Sequence, residues 1–444
     1  MSAGIHLELL PAAEVDELRA DVLARLGERA SATEAALQRA PGGWTMGGRA
    51  AEPWPFGDGT ALVAGGPAAA VRDRDASAAR PLLAADATAF CRLAGALPEV
   101  RVVAPPAVQP DAGCGNEGGE AAGSRRARLS GLAAGFAATG KHLLATVADV
   151  AEAQAAVDMG AAVMGGGGRL RERPPLSVAV MPSADGAVAA CAAAESGVPV
   201  LVSGAPAEAS RAELVATLAG ALPVVVAVQE AAPGSPVGLL LRVPGGGSLD
   251  AAALSLTAAA AQVARAFGLP LCAAALATRA SEPGWLASAE CTAATLTAWL
   301  AGVAGLAGAG SLDGGAAVSL VKLALDAETA SYVAAGQTGV KVDDETLALD
   351  VIEKVGIGGN YLGEKHTRRH MPDVWRPRFF DRTPYEQWLR EDRRESVDLA
   401  AAFVDRVLAQ QSGGSEQPVE SLDPAIVAEL DAIVSHAAPP ATRT

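Results

Sequence analysis

Aromatic side chains are scarce: Phe, Tyr and Trp make up 4% of a 444-residue chain that is 50% hydrophobic. A large core must then be built from Ala, Val and Leu with many glycines, and few rings remain to line a ligand pocket. Cysteines are few, odd in number and scattered at 91, 114, 191, 272 and 291, with no CxxC pair. This spacing argues against a disulfide framework or zinc knuckle and makes a reducing, cytoplasmic home the expectation. Positive charge is short as well. Lys and Arg number 35 against 50 acids, the net charge is −15, and no long basic run occurs, so nucleic acid is not an expected partner. The first residues lack a basic stretch followed by an apolar one, so no signal peptide is expected. The longest apolar stretches read as interrupted by Gly, Pro or charge before membrane-span length, so no membrane contact is expected either.

Two further absences bear on chemistry. No Lys lies between Lys141 and Lys322, which leaves Lys141 as the one candidate for a Schiff base in that stretch. No His lies between His142 and His366, which excludes a metal held by several histidines in that stretch. A Ser-His-Asp triad would need a His from the C-terminal part.

What is present is a rhythm. Residues 7–40 carry Leu18, Val22, Leu23 and Leu26 at helical spacing, and 43–80 turn to Gly, Pro and short alternating runs that suggest β-hairpins. From residue 100, short apolar runs recur at 100–108, 141–147, 176–183, 198–204, 237–244, 269–276 and 302–309. Ala-rich helical segments at 149–160, 184–196, 249–267 and 286–300 separate most of them. Such alternation predicts parallel βαβ units, and seven or eight in a row predict a closed (β/α)8 barrel. The eighth strand is ambiguous. Residues 222–229 (LPVVVAVQ) look β-like, yet only eight residues separate them from the next strand, too few for a crossover helix. Beyond 340 the composition changes: 24 of 58 residues are charged in 341–398, against 12 of 137 in 174–310. That segment predicts a charged outer layer folded over one end of the barrel. The expected division is 1–99 for N-terminal helices and hairpins, 100–340 for the barrel, 341–411 for the outer layer, and 412–444 for a linker and terminal helix.

Barrel active sites lie at the C-terminal ends of the strands. Asp185, Glu230, Arg242, Arg279, Glu282 and Asp313 fall at or just beyond such ends, each more simply read as a solvated rim residue. Glu290 differs, because it sits within an apolar helical run, where a carboxylate needs a partner or a task. The Gly-rich stretches GGGGR (165–169), GGGS (245–248) and AGAGSLDGG (307–315) could cradle phosphate but are more simply tight turns. In EKHTRRH (364–370), His366 and His370 are four apart, on one face of a helix. They could bind metal or relay a proton, while a structural pair that pins the outer layer is the plainer reading.

The most specific text is KVDDETLALDVIEKVGIGGNYLGEKHTRRHMPDVWRPRFFDRTPYEQW (341–388). It resembles the C-terminal signature of the trimethylamine and glycine-betaine corrinoid methyltransferase superfamily. Asp343, Asp344 and Glu345 open the acidic helix, and Leu362, Gly363, His366, Thr367 and His370 match its middle. Trp375, Pro377, Asp381, Arg382 and Trp388 match its end. Weaker likeness runs through RLRERPPLSVAV (169–180), SGVPVLVSG (196–204), TLAGALP (217–223), PGSPVGLLL (233–241) and ARAFGLP (264–270). By this alignment 222–232 belongs to a shortened helix rather than a strand. Pyrrolysine is absent, so the chain is similar to the branch without it.

The resemblance implies a (β/α)8 barrel that moves a methyl group from a small methylated amine to cob(I)alamin carried by a separate corrinoid protein. The expected partners are that corrinoid protein, the small-molecule methyl donor and further copies of the chain. No cofactor would be held tightly by the chain itself, and no metal. Glu290, His366 and His370 are the expected catalytic residues; Trp285, Arg279, Glu282 and Asp313 are the expected substrate contacts. The chain departs from the family pattern after the strand at 269–276, where a D-x-Q-A-G-x-E run reads GWLASAE (284–290) and keeps only Glu290 of its polar anchors. The family's small-residue loop after 198–204 reads AEAS (207–210). With polar and aromatic groups lost there, the alternative is a catalytically degenerate barrel that serves binding or assembly. For the same reason trimethylamine and glycine betaine are expected to be poor substrates.

Overall fold

Short runs of Val, Leu and Ala form eight strands: β1 (Ala61–Gly65), β2 (Val100–Ala104), β3 (His142–Thr146), β4 (Leu176–Val180), β5 (Val200–Gly204), β6 (Val237–Arg242), β7 (Leu271–Ala274) and β8 (Gly305–Ala309). In this computed structural model they pair in parallel, in sequence order, and close β8 onto β1 through Ala307↔Val63. The structure describes residues 9–438 except 47–48, 50–53, 57–59, 66–67, 69, 73–79, 109–119, 243–250, 338–340, 392 and 411–421. The GGGS stretch at 245–248 and the polar linker at 411–419 therefore lie outside the described residues.

A helix follows each strand: α1 (Ala84–Ala96), α2 (Glu120–Ala138), α3 (Val150–Met164), α4 (Ala184–Glu195), α5 (Arg211–Ala231), α6 (Ala251–Ala266), α7 (Trp285–Ala301) and α8 (Leu320–Gln337). Ser and Asp at the strand-to-helix turns cap several of them. Asp149 accepts from Glu152 N, Ser183 from Gly186 N, and Ser210 from Glu213 N. Two apolar layers result. One lies between strands and helices; the other fills the barrel with Val63, Val102, Leu144, Ala179, Leu201, Leu240, Cys272 and Ala307. A hairpin of Trp44–Met46 and Trp54–Phe56 contributes Trp44, Met46 and Phe56 to this inner cluster. It plugs the N-terminal end: a Cβ on Gly305, the first residue of β8, would lie 3.3 Å from the Phe56 ring.

Two expectations change. The eighth strand is Ala61–Gly65, inside the segment read as hairpins, so the barrel begins about forty residues before residue 100. Its five residues are all buried, and a fully buried strand lacks the alternation that marks a half-exposed one. Residues 222–229, strand-like by composition, lie in α5, as the family alignment expects, and the helix continues through Pro223. That helix is also long and apolar enough to cross a membrane by length and composition, contrary to the expectation that no stretch reaches span length. Here its apolar faces are used by α4, β5 and the N-terminal helices Ala12–Leu26 and Ala30–Leu37.

The charged C-terminal layer lies outside the barrel, along its wall rather than over an end. Helix Ser396–Gln410 packs on α8 and α1, and Pro424–Ala437 packs on α2 and α3. The anchor is Glu328 on α8, 1% exposed. It accepts hydrogen bonds from the backbone N–H of Arg378 (2.6 Å) and Phe379 (3.0 Å), and Arg378 also pairs with Glu99 at 2.9 Å. Residues 341–376 form short helices that expose Val342, Leu349, Ile357, Leu362 and Val374.

Candidate functional site at the barrel mouth

Strand register decides which side chains face the barrel axis. Leu240 on β6 lies in the inner cluster, so Arg242, two residues on and last in the strand, shares its face. Arg242 pairs in register with Ala274 on β7. Leu201 on β5 is likewise inward, so Ser203 is too, in register with Leu240. By the same parity Ala104 ends β2, Thr146 ends β3, and Ala274 and Ala307 face the axis from β7 and β8. Among these described positions none carries a carboxylate or an aromatic ring. Ser203 is 2% exposed and its Oγ has no hydrogen-bond partner. Arg242 is half-buried and has no ion pair or hydrogen bond among the described residues; burial pulls its pKa below the usual guanidinium value.

Glu290 sits on α7 and is half-buried. Thr278, in the loop after β7, donates its hydroxyl to a Glu290 carboxylate oxygen and accepts from Ala280 N at 3.0 Å. The carboxylate is thus tied to the C-terminal side of the barrel. The loop is rigidly built: Gly314 N donates to Thr278 O at 2.8 Å and Asp313 N to Ala280 O at 3.1 Å. Below it lies a buried cluster. Lys322 Nζ reaches Asp326 at 2.5 Å, Leu276 O at 3.2 Å and Cys291 Sγ at 3.4 Å, while Asp326 accepts from Gly310 N at 2.8 Å. Burial pulls the Lys322 pKa down, but Asp326 and the Cys291 sulfur raise it more, for a net increase. Burial pushes the Cys291 thiol up to about 12, so it is a packing group rather than a nucleophile.

The remaining expected site residues are dispersed. Trp285 is 87% exposed, and Trp285 and Glu282 border a groove of 670 Å³ outside the barrel, beside Arg72, Ser319, Glu395 and Asp398. Arg279 is exposed on the rim. Asp313, with φ 49°, is held by Arg72 at 2.6 Å. The rings of His366 and His370 lie 4.4 Å apart between centroids, tilted by 43°, but their partners belong to the outer layer. The His366 ring nitrogen lies 2.7 Å from Glu345 O, and His370 Nδ1 lies 2.7 Å from Asp373. The structure thus brings Glu290 to the mouth side and leaves the histidine pair in a structural cluster. Of the Gly-rich stretches, Gly165 and Gly166 close α3 at the end opposite the mouth, and Gly308 (φ 100°) allows the close approach of Ala277 N. Sequence reasoning passed over Ser203 and Thr278, and left Arg242 among the rim residues. For Ser203 and Arg242 the available signal was strand parity, counted from the apolar residues two positions earlier.

The family model described as Trimethylamine methyltransferase (MTTB) matches residues 20–438. Trimethylamine methyltransferase MttB of Methanosarcina barkeri is 33% identical over 182 residues, 41% of this chain and 36% of that protein. MttB of Desulfitobacterium hafniense (strain DSM 10664 / DCB-2) is 30% identical over 284 residues, 60% of this chain and 57% of that one. A glycine betaine methyltransferase of Desulfitobacterium hafniense (strain Y51) is 35% identical over 129 residues, 29% and 26%. The matched region thus spans between a quarter and just over half of these relatives' lengths. Among solved structures, the Methanosarcina barkeri monomethylamine methyltransferase MtmB superposes with a TM-score of 0.55 over 91% of this chain and 89% of that one, at 13% identity. That likeness concerns the fold. With the family match running almost end to end, this chain belongs to the trimethylamine methyltransferase (MTTB) family.

Proposed function

We propose that this chain is a methyltransferase that takes a methyl group from a small methylated amine or related donor and delivers it to cob(I)alamin on a separate corrinoid protein. The observation that carries the reading is the family match over residues 20–438 together with a closed barrel. The reduced corrinoid of the partner supplies the nucleophile and takes the methyl group, while the C–N bonding pair leaves with the amine. What this chain has to do is bind the donor, orient it and keep water away. Its residues fit that task. Ala104, Ala274 and Ala307 carry little bulk at the mouth, so side chains there do not crowd the axis. Glu290, oriented by Thr278, is the carboxylate we assign to the positive end of the donor. Trp285, Arg279, Glu282 and Asp313 are proposed as the rim that a docking protein meets. The exposed Val342, Leu349, Ile357 and Leu362 support protein contacts in the outer layer, with the corrinoid protein or with further copies of the chain.

The test is formation of methylated corrinoid, followed by absorbance, with a panel of methylated amines beside a relative that turns over. Turnover that falls on the order of 10²-fold in Glu290→Gln supports the reading. One observation favours a second reading, a degenerate barrel that binds or assembles: the described inward positions of the mouth hold no acid and no ring. No methylated corrinoid with any donor, while the relative reacts, would establish that reading instead.

A further inference from the structure

Residues 341–374 form an arm that the barrel does not cover. The arm follows α8, which runs back from the mouth, and it rejoins the body at Trp375 and Arg378. Trp375 Nε1 donates to Ser331 Oγ at 2.9 Å, and Arg378 pairs with Glu99 at 2.9 Å. Glu99 immediately precedes β2, so the arm is rooted at the end of the barrel opposite the mouth. Between those points every described hydrogen bond and ion pair stays inside the arm. Lys354 holds Glu364 at 2.7 Å, the Tyr361 hydroxyl donates to Gly356 O at 3.2 Å, and Glu345 holds Arg369. These contacts shape the arm, but no core does: Ala348 is the one buried residue in 341–374. A segment below about 40 residues rarely buries enough apolar surface to hold itself, and association is a usual remedy. Nine large apolar side chains stand exposed between 342 and 374, among them Leu349 at 66%, Ile357 at 109% and Leu362 at 75%. A stable interface takes ~800 Å² from each partner, and nine such side chains supply surface of that order.

Charge selects the partner. Residues 343–353 hold five acids and no base, while 365–376 hold four bases and one acid. Asp344, Asp350 and Glu353 form no ion pair among the described residues, and neither do Lys365, Arg368 and Arg376. A partner of one charge sign would match half of this face and repel the other half. A second copy related by a two-fold axis matches both, because the acidic stretch of each arm meets the basic stretch of the other. The location agrees, since a corrinoid protein has to reach the mouth and the arm is rooted at the other end. We infer that two copies of this chain associate through residues 341–374, arm against arm about a two-fold axis. This chooses between the two partners named above for the outer layer. It relies on the methyl-transfer reading only for the place of the corrinoid protein.

Sedimentation velocity of the full chain tests this without donor or corrinoid, so its failure leaves the methyltransferase reading standing. The expected result is a dimer, weakened at least about 30-fold in the double variant Leu349→Asp with Leu362→Asp. Trp285→Ala, at the mouth side, should dimerise as the wild type does. Thermal melts of each variant confirm that the barrel is folded. Charge reversal sharpens the test. Asp350→Lys with Glu353→Lys, and separately Lys365→Glu with Arg368→Glu, should each weaken self-association, and a mixture of the two variants should recover dimers. A wild type that stays monomeric at about 100 μM, or a dimer that survives in the folded Leu349→Asp, Leu362→Asp variant, would overturn the interface. A mixture of the charge variants that dimerises no better than its components would overturn the arm-to-arm pairing.

Discussion

Two pairs of side chains four residues apart show how differently the barrel and its outer layer are built. Lys322 and Asp326 on α8 are 1% and 5% exposed, and their remaining polar atoms are used by Leu276 O, Cys291 and Gly310 N. His366 and His370 lie on an exposed six-residue helix and bond only to the layer that carries them. In the barrel charges are few and each buried one is fixed. In the layer charges are dense and solvated, while apolar residues such as Leu349 and Leu362 stand in water. The segment that reads most clearly as a family signature is thus the part least explained by packing within this chain.

The largest expected effect breaks the barrel side of this comparison. Lys322→Met leaves the Asp326 carboxylate buried opposite an apolar chain and should cost about 3–5 kcal/mol of stability, read from denaturant unfolding. The double variant Lys322→Met with Asp326→Leu should recover part of it; a loss no smaller in the double would mean that volume, not charge, is what the site requires. The Lys322 pKa is raised by Asp326 and Cys291, so the pair's contribution is fully present below the unfolded lysine value and fades only as pH climbs through the higher folded one.

Next comes the joint between the two regions. Glu328→Ala leaves the backbone N–H groups of Arg378 and Phe379 without an acceptor and should cost about 3 kcal/mol. Limited proteolysis should then cut within 341–398 before the barrel unfolds. Uniform protection of that segment would show that the helix Ser396–Gln410, not Glu328, holds the layer.

The smallest effect falls on the histidines. His366→Ala and His370→Ala should each change stability by less than about 1 kcal/mol, as exposed polar contacts do, and should leave donor binding untouched. A drop of about 10-fold or more in methyl transfer, with donor binding intact, would return them to the chemistry, either directly or through the docked partner.

Much of the fold was legible in the sequence, because a parallel barrel repeats one physical unit. Apolar runs must be buried on both faces, and the Ala-rich stretches between them must be amphipathic enough to cover them. The strand Ala61–Gly65 escaped because it precedes the rhythm and sits among Gly and Pro. The helix at 222–231 imitated a strand, because Val224, Val225 and Val226 are β-branched in a row and only their neighbours make them helical.

Glu290 stood out in the sequence as a carboxylate in apolar company, and its tie to Thr278 agrees with that reading. Trp285 did not fold inward, since nothing in a sequence says toward which side a residue at a helix start will turn. Arg242 shows the same limit from the other direction.

The sequence by itself pointed to the family through the motif at 341–388, and determined the barrel and the charge step at 340, which rest on local periodicity and composition. Only the tertiary structure decided which polar groups stand unpaired around the axis. That depends on the register between strands nearly forty residues apart, and closure of the barrel sets that register.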